Sequence, residues 1–364
     1  MGKTSIEWTA GPDGMPGKTW NPTRGCSRVS EGCRNCYAER IAARFSTHAY
    51  QTGDDDAGVF AGFAKQTAAG PRWTGRVELI PSKLGEPLRW RKPCRCFVNS
   101  MSDLFHEALP FEHIAAVFGV MAMCPHITFQ VLTKRPERAR AFFAWVREKA
   151  RIATSAIAVV ASAADEALPD TEAIDRLLLR GDYGRKATWP LPNVWLGTSC
   201  EDQATAEKRI PYLFDCPAAV RFVSYEPALG PVDFTRLEML KPDPPYGPGA
   251  WLNALTGHLV GPDDILPDHL DQIIVGGESG PSARPFDTWW ARSVIEQCSA
   301  AGVACFVKQM GSKPTGWSCA SGPDCTHPDC GRQEWHLRDR KGGDMSEWPE
   351  RYRVRQFPEV RHAP

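Results

Sequence analysis

The chain has 364 residues, 42% hydrophobic and 24% charged, and its 43 Lys/Arg cancel 43 Asp/Glu. That composition excludes a disordered chain, a collagen-like repeat and a coiled coil, and leaves room for one large domain or two ordinary ones. No apolar run is long enough to span a membrane, and the N-terminus has no signal-peptide core. A soluble cytoplasmic protein with no membrane partner is expected. The zero net charge hides an asymmetry: residues 1–151 carry 22 Lys/Arg against 14 Asp/Glu. A basic half suits a phosphate-bearing ligand or nucleic acid, and equally suits uneven surface charge. The 13 cysteines read as metal ligands or reactive thiols rather than disulfides, and the 13 tryptophans as core or pocket wall.

In chain order, a cysteine-bearing loop at 20–36 leads into a predicted helix from Tyr37 to Thr47. A Gly/Ala/Asp-rich loop is expected over 51–70, then a short strand over Val77–Ile80 and a clearer one over Cys96–Asn99. A helix from Pro110 to Met123, a strand over 127–133 and a helix from Pro136 to Lys149 follow. Residues 152–190 are Ala-rich and then Pro-bounded, and read as an inserted helix or two. Strands are predicted over Val194–Gly197, Val220–Ser224, Gln272–Val275 and Ala304–Val307. Helices are predicted over 203–214 and 288–301, the second stopped by Gly302. A Pro/Gly-rich connection occupies 241–271. This alternation predicts an α/β protein with a parallel (β/α) barrel, complete or partial and TIM-like, over residues 1–313. A doubly wound open sheet is the alternative. Residues 314–364 form a Cys-rich extension, metal-binding or irregular.

Chemistry in such barrels sits at the C-terminal ends of the strands. Here the strands exit into polar groups: Asn99-Ser-Met-Ser-Asp103, Thr133-Lys-Arg135, Gly197 to Glu201, Ser224-Tyr-Glu226, Gly276-Gly-Glu-Ser-Gly280 and Lys308-Gln309. The acids Asp103, Glu201, Glu226 and Glu278 read as the rim of one pocket, or as turn chemistry with ion pairs at its mouth. Lys134, Arg135 and Lys308 could clamp a carboxylate or phosphate, or pair with Glu226 or Glu278. Gly276-Gly277 would let a ligand approach the backbone. No dinucleotide fingerprint, P-loop, H-E-x-x-H or G-x-S-x-G is present.

Cys26, Cys33 and Cys36 place three thiols within eleven residues just before a helix. Three thiolates suit a [4Fe–4S] cluster with one open iron. Zinc would want a fourth ligand, which His48 could supply; a Cys33/Cys36 redox pair is a third reading. Cys319, Cys325, His327 and Cys330 form a second set, complete for tetrahedral zinc and equally able to bind an auxiliary iron–sulfur cluster. Cys94 and Cys96 read as residues at the start of a strand, and Cys124, Cys216, Cys298 and Cys305 as core thiols. Cys200 could face the pocket. His106 and His113 read as structural or surface groups.

The string W-N-P-x-x-G-C-(x)6-C-x-x-C-Y-A resembles that of the phage-associated three-Cys-motif family of radical-SAM-like proteins. So do N-S-M-S-D-L-F-H at 99–106, L-T-K-R-P at 132–136, Ser224-Tyr-Glu-Pro227, G-G-E-S-G at 276–280 and K-Q-M-G at 308–311. The resemblance runs from about residue 4 to 313, outside the insertions. It implies a radical-SAM type barrel, distantly similar to spore photoproduct lyase. A [4Fe–4S] cluster would sit on Cys26, Cys33 and Cys36, with S-adenosylmethionine bound at its open iron. The usual C-x3-C-x2-C spacing is departed from, because the first gap here is six. The aromatic residue usual before the last cysteine is replaced by Asn35, and Gly276-Gly277-Glu278 comes much later than the usual Gly-Gly-Glu, so the usual amino-group role is not assumed for it. Candidate cofactor contacts are therefore Asn99, Ser100, Ser102, Asp103 and Glu278, and candidate catalytic residues are Glu226, Lys134 and Lys308. The expected activity is reductive cleavage of S-adenosylmethionine, with the radical acting on a nucleotide or nucleic acid. The reductant would be a flavodoxin or ferredoxin. The rival expectation is a zinc-stabilised nucleic-acid-binding protein.

Overall fold

The computed structural model describes residues 4, 6–10, 14–47, 58–169, 188–239, 250–260, 268–317 and 331–359. Seven strands form the main sheet: β1 (Gly17–Trp20), β2 (Cys94–Val98), β3 (Ile127–Thr133), β4 (Val194–Cys200), β5 (Val220–Tyr225), β6 (Gln272–Gly276) and β7 (Ala304–Gln309). Their order in the sheet is their order in the chain, and the registered pairs are parallel. A doubly wound sheet reverses direction at a switch point; this one does not, so the winding is that of a barrel. β1 and β7 are its edges, which makes it a partial one.

The chain divides into two compact units. The first comprises Met1–Gly197, Asp215–Ala219 and His362–Pro364; the second comprises Thr198–Phe214 and Val220–Arg361.

In the first unit, α1 (Tyr37–Thr47) follows the cysteine loop, α2 (Phe111–Ala122) follows β2, and α3 (Pro136–Ala153) follows β3. β1 escaped the sequence reading because Gly17-Lys-Thr-Trp20 holds a single large apolar side chain. That side chain, Trp20, is fully buried and donates its indole N–H to Lys83 O at 2.8 Å. The weak strand foreseen at 77–80 lies outside the main sheet, where Glu78–Leu79 pairs with Thr23–Arg24. Part of the expected loop at 51–70 is a hairpin, Ala64–Thr67 against Gly70–Trp73, which packs on α1. The inserted helix over 152–190 appears as α4 (Ala156–Ala167) and packs on α2. Gly119 permits that contact: a Cβ there would stand 2.2 Å from Val160 O.

In the second unit, α5 (Gln203–Phe214) and α6 (Thr288–Ala301) take their predicted bounds. Asp287 caps α6 by accepting from Trp289 N, and Gly302 ends it at φ 71°. The connection at 241–271 contains Trp251–Asn253 and His258–Val260 of a small antiparallel sheet. Residues beyond 313 are not all irregular: Pro314–Trp317 pairs with Arg332–Glu334. Val307 N donates to Val354 O at 2.8 Å and Gln356 N to Cys305 O at 2.9 Å. This lays the end of the chain along the open edge of β7. Trp348 and Tyr352 are buried there.

Gly277 has a structural reason independent of any ligand approach. Its Cβ would meet Met310 O at 2.5 Å and Phe286 Cβ at 2.8 Å, atoms of the chain itself. Gly277→Ala is expected to lower the unfolding free energy by about 1–3 kcal/mol in a denaturant titration. Gly276→Ala, whose nearest atom stands at 3.3 Å, is expected to cost less.

Candidate functional site

The cysteine loop is stitched to the exit of β2. Asn99 sits at φ 59°, a conformation asparagine tolerates, and its side-chain amide donates to Thr23 Oγ1 at 2.9 Å. Ser102 Oγ lies 2.9 Å from Thr23 Oγ1 and donates to Thr23 O. Asn21 Oδ1 accepts from Ser100 Oγ and Met101 N. Tyr37, the first residue of α1, donates its hydroxyl to Ser100 O at 2.6 Å. The polar groups expected to touch a cofactor are thus largely occupied in shaping the loop. Asn99 Oδ1 differs, being buried without a hydrogen-bond partner among the described residues.

Asp103 and Arg135 tie this loop to the exit of β3. Asp103 Oδ1 accepts from Thr133 Oγ1 at 2.7 Å and Phe105 N at 3.0 Å. Its Oδ2 accepts from Lys134 N and from Arg135 Nη1, both at 3.1 Å. Arg135, only 4% exposed, also donates from Nη2 to Ser27 Oγ at 2.7 Å and Ser27 O at 3.1 Å. Its Nε reaches Glu107, and Nη1 stands 4.0 Å from Cys26 Sγ. A fixed cation therefore lies beside the first thiol of the loop. Arg135 was expected to pair with Glu226 or Glu278, or to clamp a ligand; its described partners are instead Asp103, Glu107 and the cysteine loop.

His106 was read as structural or surface, and it is buried against the same loop. Its Nδ1 accepts from Ala108 N at 3.1 Å, so the neutral ring carries its proton on Nε2, 2.8 Å from Ser27 Oγ. Burial, followed by the neighbouring Arg135, holds its pKa below the ordinary histidine value. The unfolded chain therefore binds the proton first, and stability drops as pH falls through about 6.5. A melting temperature that declines between about pH 7 and 5, with a shallower decline in His106→Gln, is the expected result.

The three thiols are half-buried and free. Burial pushes the Cys26 thiol up to about 12; Asp103 adds to the shift, Arg135 opposes it, and Cys36 and Cys33 raise it further. Cys36 is also raised, chiefly by burial, against which the N–H groups of Glu39 and Ala38 favour its thiolate. Those donors belong to the N-terminus of α1. Glu39 itself is buried, accepting from Arg28 and from Trp73 N. That fastens both loop and hairpin to α1.

Among the described residues, no three or more Cys, His, Asp or Glu side chains form a ready-made metal-holding group. The donor chemistry of the loop nonetheless fits a soft iron centre. Three thiols with overlapping fields, a helix N-terminus at one and a guanidinium at another favour thiolates once a metal displaces the protons. His48 and the second set, Cys319, Cys325, His327 and Cys330, lie outside the described residues.

Glu201, Glu226, Glu278, Lys308 and Cys200 belong to the second unit. Lys308 Nζ holds both oxygens of Glu226, at 2.7 and 2.8 Å. Glu278 accepts from Arg284 N, Nε and Nη2 at 2.7–3.0 Å. Glu201 pairs with Arg209 at 2.9 Å in the interior. Cys200 is fully buried, as are Cys94, Cys96, Cys124, Cys216, Cys298 and Cys305.

Fold and site define an α/β protein with a partial barrel and a three-thiol loop near its N-terminus. The chain belongs to the family described as protein of unknown function (DUF5131), which matches residues 3–343. No curated protein and no solved structure matches it. Among the described residues, no helix is long and apolar enough to cross a membrane.

Proposed function

We propose that this chain is a radical-SAM type enzyme that holds a [4Fe–4S] cluster on Cys26, Cys33 and Cys36 and acts on a nucleotide or nucleic acid. The observation that carries this reading is the thiol loop itself. Its thiols lie near enough for Cys36 and Cys33 to raise the pKa of Cys26, and the guanidinium of Arg135 stands 4.0 Å from the Cys26 sulfur. Cys26, Cys33 and Cys36 would hold the cluster, and the cluster when bound would supply one-electron reduction of S-adenosylmethionine. The chain's own part is placement. Asp103 and Arg135 lock the loop to the β2 and β3 exits and set a positive charge beside Cys26. The N-terminus of α1 favours a thiolate at Cys36. The orphaned Oδ1 of Asn99 is an acceptor suited to an ammonium group. The basic balance of residues 1–151 supports a phosphate-bearing substrate.

Anaerobically reconstituted protein, given S-adenosylmethionine and dithionite, is expected to release 5′-deoxyadenosine, and Cys33→Ala is expected to abolish it. Bound zinc with no cleavage would identify a zinc-stabilised nucleic-acid-binding protein instead.

A further inference from the structure

Four aromatic side chains from separate parts of the second unit meet around one cleft that opens to solvent: Trp289, Trp317, Trp335 and Tyr352. Trp289 lies in the first turn of α6, Trp317 ends the strand Pro314–Trp317, and Trp335 follows the strand Arg332–Glu334. The three indoles are half-buried. Glycine makes the seat of Trp335: a Cβ on Gly316 would stand 2.4 Å from its Nε1, so the ring lies against bare backbone. Its backbone N–H donates to Pro314 O at 2.9 Å, and its ring meets Tyr352 edge-on with centroids 5.6 Å apart. Two guanidiniums complete the wall. Arg292 stands 4.6 Å from the centre of the Trp289 ring, and Arg351 5.2 Å from that of Tyr352. Every lining side chain, Thr288 included, carries a hydrogen-bond donor, and none is a carboxylate or an amide. Asp287, next to Thr288 in the chain, is already taken by Trp289 N, Trp317 Nε1 and Arg332. Glu334 and Glu350 are exposed neighbours in sequence and do not line the cleft. The indole N–H groups of Trp289 and Trp335 have no hydrogen-bond partner among the described residues. Arg292 is paired with Glu296 at 2.8 Å, whereas Arg351 has no ion pair among the described residues.

We infer that this cleft docks a proline-rich peptide segment of a partner protein, with Asp or Glu flanking its prolines. The inference goes beyond the function proposed above and requires no cluster. Three observations choose this occupant. A wall of donors calls for a ligand of acceptors, and a polyproline helix is one: its carbonyls face outward and its prolines have no N–H to satisfy. Its pyrrolidine rings fit between aromatic side chains set at a steep angle, as Trp335 and Tyr352 are at 72°. Arg351 is complementary in charge to a flanking carboxylate. A nucleobase fits less well, because its own N–H donors meet no carboxylate or amide in the wall. A cationic ligand is opposed by the guanidiniums.

The test uses the full chain and fluorescein-labelled octaproline peptides, flanked by aspartates or by lysines, with binding followed by fluorescence anisotropy. Labelled oligothymidine is the nucleic-acid arm. The variants are Arg351→Glu, Trp335→Ala and Trp289→Phe, the last keeping a ring while removing its N–H. Expected is saturable wild-type binding of the aspartate-flanked peptide, at least about fivefold tighter than that of the lysine-flanked one. Arg351→Glu should abolish that preference, and the preference should shrink as salt rises. Trp335→Ala should weaken both peptides roughly tenfold or more, and Trp289→Phe should weaken both by a smaller factor. Arg351 is exposed, so Arg351→Glu keeps the test decisive if Trp335→Ala fails to fold. Near-ultraviolet circular dichroism shows which variants are native. Absence of saturable binding to the aspartate-flanked peptide would overturn the inference. So would equal wild-type affinity for the two peptides, or affinities unchanged in Arg351→Glu and Trp289→Phe. Oligothymidine bound more tightly than either peptide, and lost in the same variants, would assign the cleft to nucleic acid and overturn it too. Cluster assembly is read separately, so failure here and failure of the proposed function are distinct outcomes.

Discussion

Arg135→Met is expected to destabilise the chain by about 3–5 kcal/mol, the range for stranding a buried charge by removing its partner. The stranded group is Asp103, which is buried with Arg135 3.1 Å away. Glu107 adds little, because its side chain is 63% exposed and water replaces the lost partner. Neutral donors from Thr133, Phe105 and Lys134 still hold Asp103, but none carries charge. Arg135→Met/Asp103→Asn should therefore lose less than Arg135→Met alone, since no uncompensated charge remains. Chemical denaturation of the metal-free chain separates the cases. If the single and double variants unfold at the same midpoint, Asp103 is not the group that Arg135 serves.

Substitution of any one thiol in the loop has the second large expected effect. Cys26→Ala, Cys33→Ala and Cys36→Ala should each bring iron from about four per chain to under about one, because two thiolates do not retain a cluster built for three. The triple substitution should look no worse than a single one, as expected for ligands acting as a unit. Cys36 separates ligation from folding. The N–H groups of Glu39 and Ala38 at the start of α1 favour its thiolate. Cys36→Ala should also cost the metal-free chain about 1 kcal/mol of helix capping. Cys36→Ser keeps an acceptor for the cap and should lose iron without losing that stability. Iron retained in Cys36→Ala would mean that the sulfur is not a ligand.

The main sheet was legible because its strands are apolar runs of four to seven residues, and strand–helix alternation admits few topologies. Thr288–Ala301 was bounded correctly, with Gly302 as the stop; the Asp287 cap at its start emerged only in the structure. β1 was not legible, since an edge strand needs only one deeply buried side chain and Trp20 supplies it. The hairpin at 64–73 and the pairing of the chain's end with β7 were also missed. Their strands are short and polar, and their stability comes from partners remote in sequence, α1 and Phe306, which no local pattern reveals.

The site divides similarly. The thiol loop announced itself by spacing, whereas its support did not. Ser27 and Glu107 carry no motif, and the strings that contain His106 and Arg135 do not show that both lie against the cysteine loop. Their convergence on Cys26 depends on which strand exits are neighbours in the sheet. Knowing that β1, β2 and β3 are adjacent makes the contact between residues 26, 103 and 135 almost unavoidable. Glu226 and Lys308 were read both as reactive groups and as partners in an ion pair, and the structure holds them in that pair.

The most direct test of this account is the metal content of the wild-type chain purified and reconstituted without oxygen. A brown protein with about four irons and four acid-labile sulfides per chain at the loop, and an electron paramagnetic resonance signal that changes when S-adenosylmethionine is added, is the predicted result. A colourless protein, or one whose Cys26, Cys33 and Cys36 hold a single zinc ion with every position filled by the polypeptide, would contradict it.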